Sequence, residues 1–116
     1  MRSAYDGGVS DVATQLRKGV LELAILSLLE KEARYGGQIV SILADYPGLA
    51  AGTGTVYPLL TRLGKEKLVT TTWRESASGP PRKYYRLTAA GRAALTGQLA
   101  AWRQLTDDVT RIVEAS

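Results

Sequence analysis

The chain contains neither cysteine nor histidine. The first absence excludes disulfides and thiolate metal sites, and the second removes the commonest general base and the remaining soft metal ligand. Most hydrolase and metalloenzyme chemistries are thereby set aside, and no catalytic residue, metal or cofactor is assigned. Long apolar runs are missing as well. The longest, Val20 to Leu29, covers ten residues and is interrupted by Glu22, far short of the roughly 20 that a bilayer-spanning helix needs. No membrane partner is expected. Met1 to Ser10 holds one Arg and no hydrophobic segment, so it is read as a loose arm rather than a secretory signal, and the expected location is the cytoplasm. Low-complexity tracts are absent, and 45% apolar with 22% charged residues is the composition of a folding globular chain. At 116 residues it is one small domain without room for a core plus a deep catalytic cleft, and an oligomer is expected.

The formal charge of +4 is unevenly spread. Between Arg62 and Arg92 stand eight Lys or Arg (Arg62, Lys65, Lys67, Arg74, Arg82, Lys83, Arg86, Arg92) against Glu66 and Glu75, a local +6; the remaining seven bases and nine acids sum to −2. A positive face of this size attracts a phosphate backbone and releases counterions on binding. Nucleic acid is the partner that this polarity implies.

Hydrophobic periodicity places the elements. From about Asp11, Val12, Leu16, Val20, Leu23, Ala24, Ser27 and Leu28 follow helical spacing, with Leu21, Ile25 and Leu29 as a second apolar stripe, so a largely buried helix is expected to end near Lys31 to Arg34. Tyr35-Gly36-Gly37 punctuates before a second helix carrying Ile39, Val40, Ile42 and Leu43, which stops at Tyr46-Pro47-Gly48. Thr53 is the expected cap of a third helix with Val56, Leu59, Leu60 and Leu63 on one face and Thr55, Pro58, Thr61, Arg62 and Lys65 on the other. Leu68 to Arg74 and Lys83 to Leu87 alternate with period two around a Ser76 to Pro81 loop, which predicts a hairpin with Val69, Trp73, Tyr85 and Leu87 inward and Arg82, Tyr84 and Arg86 on the other face. Thr88 caps a long last helix in which Leu95, Leu99, Trp102, Thr106, Val109 and Val113 recur by steps of four and three, with Leu105 and Ile112 as a second line. Such a seam is covered either by a second copy, making a homodimer, or by folding back on the first helix.

The predicted fold is mainly α with a two-stranded β-hairpin: a winged helix-turn-helix plus a long C-terminal dimerisation helix. Its parts are residues 1–10 as an arm, 11–88 as the DNA-binding unit and 89–116 as the dimerisation helix.

Four blocks of this sequence resemble the PadR family of bacterial transcriptional regulators, in particular its shorter members with a single closing helix. They are Leu16-Arg17-Lys18-Gly19-Val20-Leu21-Glu22, Arg34-Tyr35-Gly36, Gly54-Thr55-Val56-Tyr57-Pro58-Leu59-Leu60-Thr61-Arg62-Leu63, and Gly79-Pro80-Pro81-Arg82-Lys83-Tyr84-Tyr85-Arg86-Leu87-Thr88, followed by Gly91. The sequence departs from the family at Gly64, where Glu is usual, at Gly37, where an aromatic is often seen, and at Lys67, where a left-handed helix end usually has Gly. The resemblance implies a repressor that binds a pseudo-palindromic operator in double-stranded DNA, and some similar regulators release DNA on binding planar aromatic compounds at the dimer seam.

The expected DNA-binding residues are Tyr35, Thr53, Thr55, Tyr57, Arg62, Lys65, Arg82 and Lys83. Thr55 and Tyr57 lie at the start of the third helix, where side chains reach base edges in a major groove. Arg62 and Lys65 suit phosphates, or for Arg62 a bidentate guanine contact. Packing under the wing is the alternative for Tyr57, a surface ion pair for Arg62, and a turn anchor for Tyr35. Prolines at the wing tip stiffen Arg82 and Lys83. For an aromatic effector the candidates are Gln15, Leu99, Trp102 and Thr106, against the alternative that Trp102 only fills the dimer seam. Asp107-Asp108 and the Glu30/Glu32 pair are read as solvated surface. The rival function is a winged-helix module whose basic face docks an acidic protein.

Overall fold

Leu21, Ile25, Leu26 and Leu29 are buried along one face of helix α1 (Leu21–Lys31). In the computed structural model, which describes residues 19–115, Gly19 and Val20 form a turn ahead of this helix. The single helix expected from Asp11 therefore begins at Leu21 within the described residues; Val12, Gln15 and Leu16 lie outside them. Arg34 Nε donates to the Leu28 carbonyl (3.2 Å), which satisfies one of the acceptors left open at the helix end.

A strand of two residues, β1 (Arg34–Tyr35), comes next, followed by α2 (Gly36–Ala44) with Ile39 and Leu43 buried. The backbone N–H of Tyr35 donates to Gln38 Oε1 (3.1 Å), a side-chain bond that fixes the entry into α2. The helix ends ahead of Pro47, as the steric demand of proline on its preceding residue requires.

Helix α3 (Thr53–Lys65) buries Val56, Leu60 and Leu63. Its cap is Gly52 and not Thr53: the N–H groups of Thr55 and Val56 both donate to the Gly52 carbonyl (3.1 and 3.0 Å), so Thr53 is already the first helical residue. Pro58 lies inside the helix and removes one i→i−4 bond. At the other end the N–H of Leu68 donates to the Leu63 carbonyl and that of Lys67 to the Gly64 carbonyl (3.0 Å each), with Lys67 at φ 62°. This is the paired closure of a left-handed helix end that normally selects glycine.

The hairpin is longer and tighter than its sequence implies. Strands β2 (Val69–Ser76) and β3 (Gly79–Leu87) pair antiparallel, with Ser76 opposite Gly79, so Ala77 and Ser78 alone make the turn. The expected Ser76 to Pro81 loop is mostly strand. The register slips by one between Arg74↔Arg82 and Ser76↔Gly79, which sets Pro80 and Pro81 against Glu75. Residues without an N–H are tolerated in a sheet at such an irregularity. β1 adds to the far side of β3, giving a three-stranded sheet of order β1-β3-β2. Val69, Tyr85 and Leu87 face the core as predicted, but Trp73 is 68% exposed. Its strand parity is the inward one; the hairpin simply projects past the body at that point.

Thr88 caps α4 (Ala89–Glu114) from both sides, its Oγ1 accepting from the Gly91 N–H (2.9 Å) and donating to the Lys67 carbonyl (2.7 Å). Gly91 lies against β2's approach so closely that a Cβ there would stand 2.0 Å from the Leu68 carbonyl oxygen. The first half of α4 joins the core through Leu95, with Leu99 packed at its edge. From Trp102 onward the seam is open: Trp102, Leu105, Val109, Ile112 and Val113 are all exposed.

Candidate nucleic-acid interface

Residues from three distant stretches of sequence meet where α3 faces the wing. Tyr35, Tyr57, Arg82 and Lys83, together with Gly36 and Tyr85, line a cleft of about 200 Å³. β1 delivers Tyr35, the first half of α3 delivers Tyr57, and β3 delivers Arg82 and Lys83 from its two opposite faces. The Tyr57 ring lies directly on Gly36, where an added Cβ would come within 2.1 Å of Cε1, yet the residue is 42% exposed. One side of Tyr57 is packing and the other is open surface. Thr53, Thr55 and Lys65 are exposed on the same helix.

Besides the strand ladder, the wing carries cation and ring contacts and, among the described residues, no ion pair. Arg82 lies over the Tyr35 ring (4.4 Å) and Arg74 over the Tyr84 ring (4.2 Å), while Tyr35 and Tyr84 meet edge to face with centroids 5.4 Å apart. Tyr35↔Tyr84 and Arg74↔Arg82 are cross-strand partners, so this run of four is a direct product of sheet register. Lys83 lies 5.8 Å from the Tyr85 ring on the opposite face. Burial, and then the neighbouring Tyr57, push the Tyr85 phenol above its ordinary range. Among the described residues, Lys65, Arg74, Arg82, Lys83, Arg86 and Arg92 form no ion pair with a carboxylate.

Arg62 is different. Its Nη2 donates to Glu22 Oε1 (2.6 Å) and its Nη1 to Glu66 Oε2 (2.9 Å). These bonds, that from Glu22 first, hold its proton more tightly than usual. The ion-paired alternative for Arg62 thus describes its surroundings, and its charge is already met within the chain. Glu66 could be foreseen one helical turn away; Glu22, forty positions back in sequence, left no signal. The ring and cation run was half visible, since alternation already put Arg82 and Tyr84 on one face.

The family model for the transcriptional regulator PadR-like family matches residues 25–97. This chain belongs to the PadR-like family of transcriptional regulators. A transcriptional regulator of Mycobacterium tuberculosis is 32% identical over 82% of this chain and 87% of its own. The crystal structure of a PadR family regulator from Eggerthella lenta superposes with a TM-score of 0.84 at 39% identity, covering 97% of this chain and 98% of that one. A PadR-like regulator from Bacillus cereus gives 0.80 at 35% identity over 86% and 97%.

In this PadR-like chain the residues expected to hold an effector are only partly gathered. Leu99 and Trp102 line an apolar groove of about 430 Å³ with Val20, Leu23, Ala24 and Leu49. Trp102 and Thr106 border a second groove of about 280 Å³ further along α4. The Thr106 hydroxyl is turned to its own helix, donating to the Trp102 and Arg103 carbonyls (2.8 and 3.2 Å). Gln15 lies outside the described residues. Among those residues, no helix of this PadR-like protein is long and apolar enough to cross a membrane.

Proposed function

We propose that this protein is a homodimeric repressor that binds a pseudo-palindromic operator, each copy presenting the start of α3 to a major groove and its β2–β3 wing to the flanking backbone. The observation that carries this reading is the convergence of Tyr35, Tyr57, Arg82 and Lys83 on one cleft between α3 and the wing. Thr55 and Tyr57 are the base-reading candidates, with Thr53 at the phosphate-facing helix start; Lys65, Arg82 and Lys83 supply phosphate contacts. Arg62 contributes through the scaffold, because its guanidinium is engaged by two carboxylates. A planar aromatic compound lodging beside Trp102 would favour a dimer geometry that no longer matches successive grooves, a shift of population.

Fluorescence anisotropy against the promoter duplex upstream of its own gene and a scrambled duplex, over a series of salt concentrations, tests the proposal. The promoter duplex should bind about 100-fold more tightly or better. Replacing Arg82 and Lys83 together by Ala should weaken binding and lower the slope of log K against log salt by about 2, one phosphate contact each. Equal, weak binding to both duplexes would overturn the reading in favour of a basic face that docks an acidic protein.

A further inference from the structure

α3 packs chiefly on α2 and β2, whereas α4 packs chiefly on α1 and β3. The Glu22 carboxylate hydrogen-bonds to both. Glu22, in the first turn of α1, accepts from Arg62 Nη2 of α3 through Oε1 and from Gln98 Nε2 of α4 through Oε2, each at 2.6 Å. Arg62 is braced in turn by Glu66 on its own helix (2.9 Å). The Glu22 side chain is only 21% exposed against 50% for Arg62, so the Gln98 bond is partly shielded from water while the Arg62 bond is open to it, and bonds to an ionised group are about twice as strong as neutral ones. A carboxylate has two oxygens in one rigid plane, so a donor held on each fixes the two donors relative to one another.

We propose that Glu22 is a positioning residue for the DNA-binding surface, setting the angle between α3 and α4 by holding Arg62 and Gln98 on its two oxygens. The inference rests on the DNA-binding reading above for its consequence: α4 carries the dimer seam and α3 the groove contacts, so this angle sets the separation of the two α3 helices. Apolar packing sets which helices are neighbours. It tolerates small rotations, and the three-point polar bridge removes them. Arg62 in this account acts on DNA through α3's orientation rather than by touching it.

The chain has no native cysteine, so one spin-label pair reads the angle directly. Labels on Thr61→Cys and Arg103→Cys, both exposed positions, in protein diluted with unlabelled chain, report the α3 to α4 distance within one subunit. Glu22→Ala and Gln98→Ala should each broaden that distance distribution about twofold. Glu22→Gln should keep the parent width, because Gln98 can rotate its amide and accept from the new side chain while Arg62 still donates to the remaining oxygen. Arg62 retains Glu66 in every variant, and Gln98 is only half buried, so the fold survives each change. An unchanged width in both Ala variants overturns the proposal; so does broadening in Glu22→Gln equal to that in Glu22→Ala, which would make the effect one of charge alone.

The consequence is read on the footprinted operator and on a copy with one base pair inserted between half-sites. The parent protein should prefer the former by about tenfold or more and Glu22→Ala by about threefold or less, where a merely destabilised protein would lose affinity for both alike. Equal discrimination by the two proteins overturns the positioning role. Should the parent select no duplex at all, the DNA reading fails, while the label distances still decide whether Glu22 sets the angle.

Discussion

Lys67 holds a backbone conformation that its side chain disfavours. A left-handed residue with a Cβ costs roughly 1–2 kcal/mol against the following carbonyl, and here it is imposed by two hydrogen bonds that close α3, from Leu68 to Leu63 and from Lys67 to Gly64. The cost is accepted because the closure aims the chain from α3 directly into β2, and because the Lys67 carbonyl is the acceptor for Thr88 at the start of α4. Lys67→Gly should therefore stabilise the protein by about 1 kcal/mol, part of the gain being offset by the extra freedom of glycine in the unfolded chain. A urea titration would show a higher midpoint at unchanged slope; an unchanged or lower midpoint would mean that the lysine side chain makes up for its backbone. The position was legible in the sequence as a departure from the family pattern, since the left-handed requirement belongs to the backbone whichever residue sits there.

Within α4, two glycines have opposite meanings. Gly97 faces open space, while a Cβ at Gly91 would collide with the Leu68 backbone. Gly97→Ala should stabilise the helix by up to about 1 kcal/mol, and Gly91→Ala should destabilise by about 1–3 kcal/mol as the helix start is pushed off β2. Thermal unfolding of the two variants should shift in opposite directions, and a shared direction would contradict the packing described at the α4 start. Periodicity was a good guide to elements of this kind. Helical spacing located α2, α3 and α4, and the Thr88 cap was foreseen, because these features are written locally. β1 escaped notice because two residues carry no period. Trp73 was placed by parity alone, which tells which face a side chain takes but not where the body beneath it ends. The candidate site was legible residue by residue through the basic bias and the family-like blocks. The partners of Arg62 were not, being set by how three helices meet.

For the whole molecule the unresolved demand is the second half of α4. At 26 residues the helix is about 39 Å long, and among the described residues only its start is joined to the core of the subunit. Leu105 (61% exposed) and Val109 (57%) lie a turn apart on the uncovered stripe, with Ile112 and Val113 beyond them. A continuous apolar stripe of this length on a projecting helix is what a partner surface requires, and in the proposed homodimer a second copy about a two-fold axis would present the same stripe in return. Leu105→Glu with Val109→Glu should yield a folded monomer, because neither side chain belongs to the subunit's core while in the dimer four carboxylates would crowd an apolar seam. Leu99 is the poorer target for this purpose, since it packs against the core and its replacement would confuse loss of folding with loss of pairing. Light scattering should report half the parent mass, with circular dichroism showing the helical fold retained and a melting temperature that is lower and no longer depends on concentration. Affinity for an operator with two half-sites should then fall by about 100-fold or more, each subunit having lost the effective concentration its partner provided. A dimer that survives both glutamates would place the partner surface elsewhere and separate α4 from operator spacing, and the spread of label distances across α3 and α4 would then bear on the subunit alone.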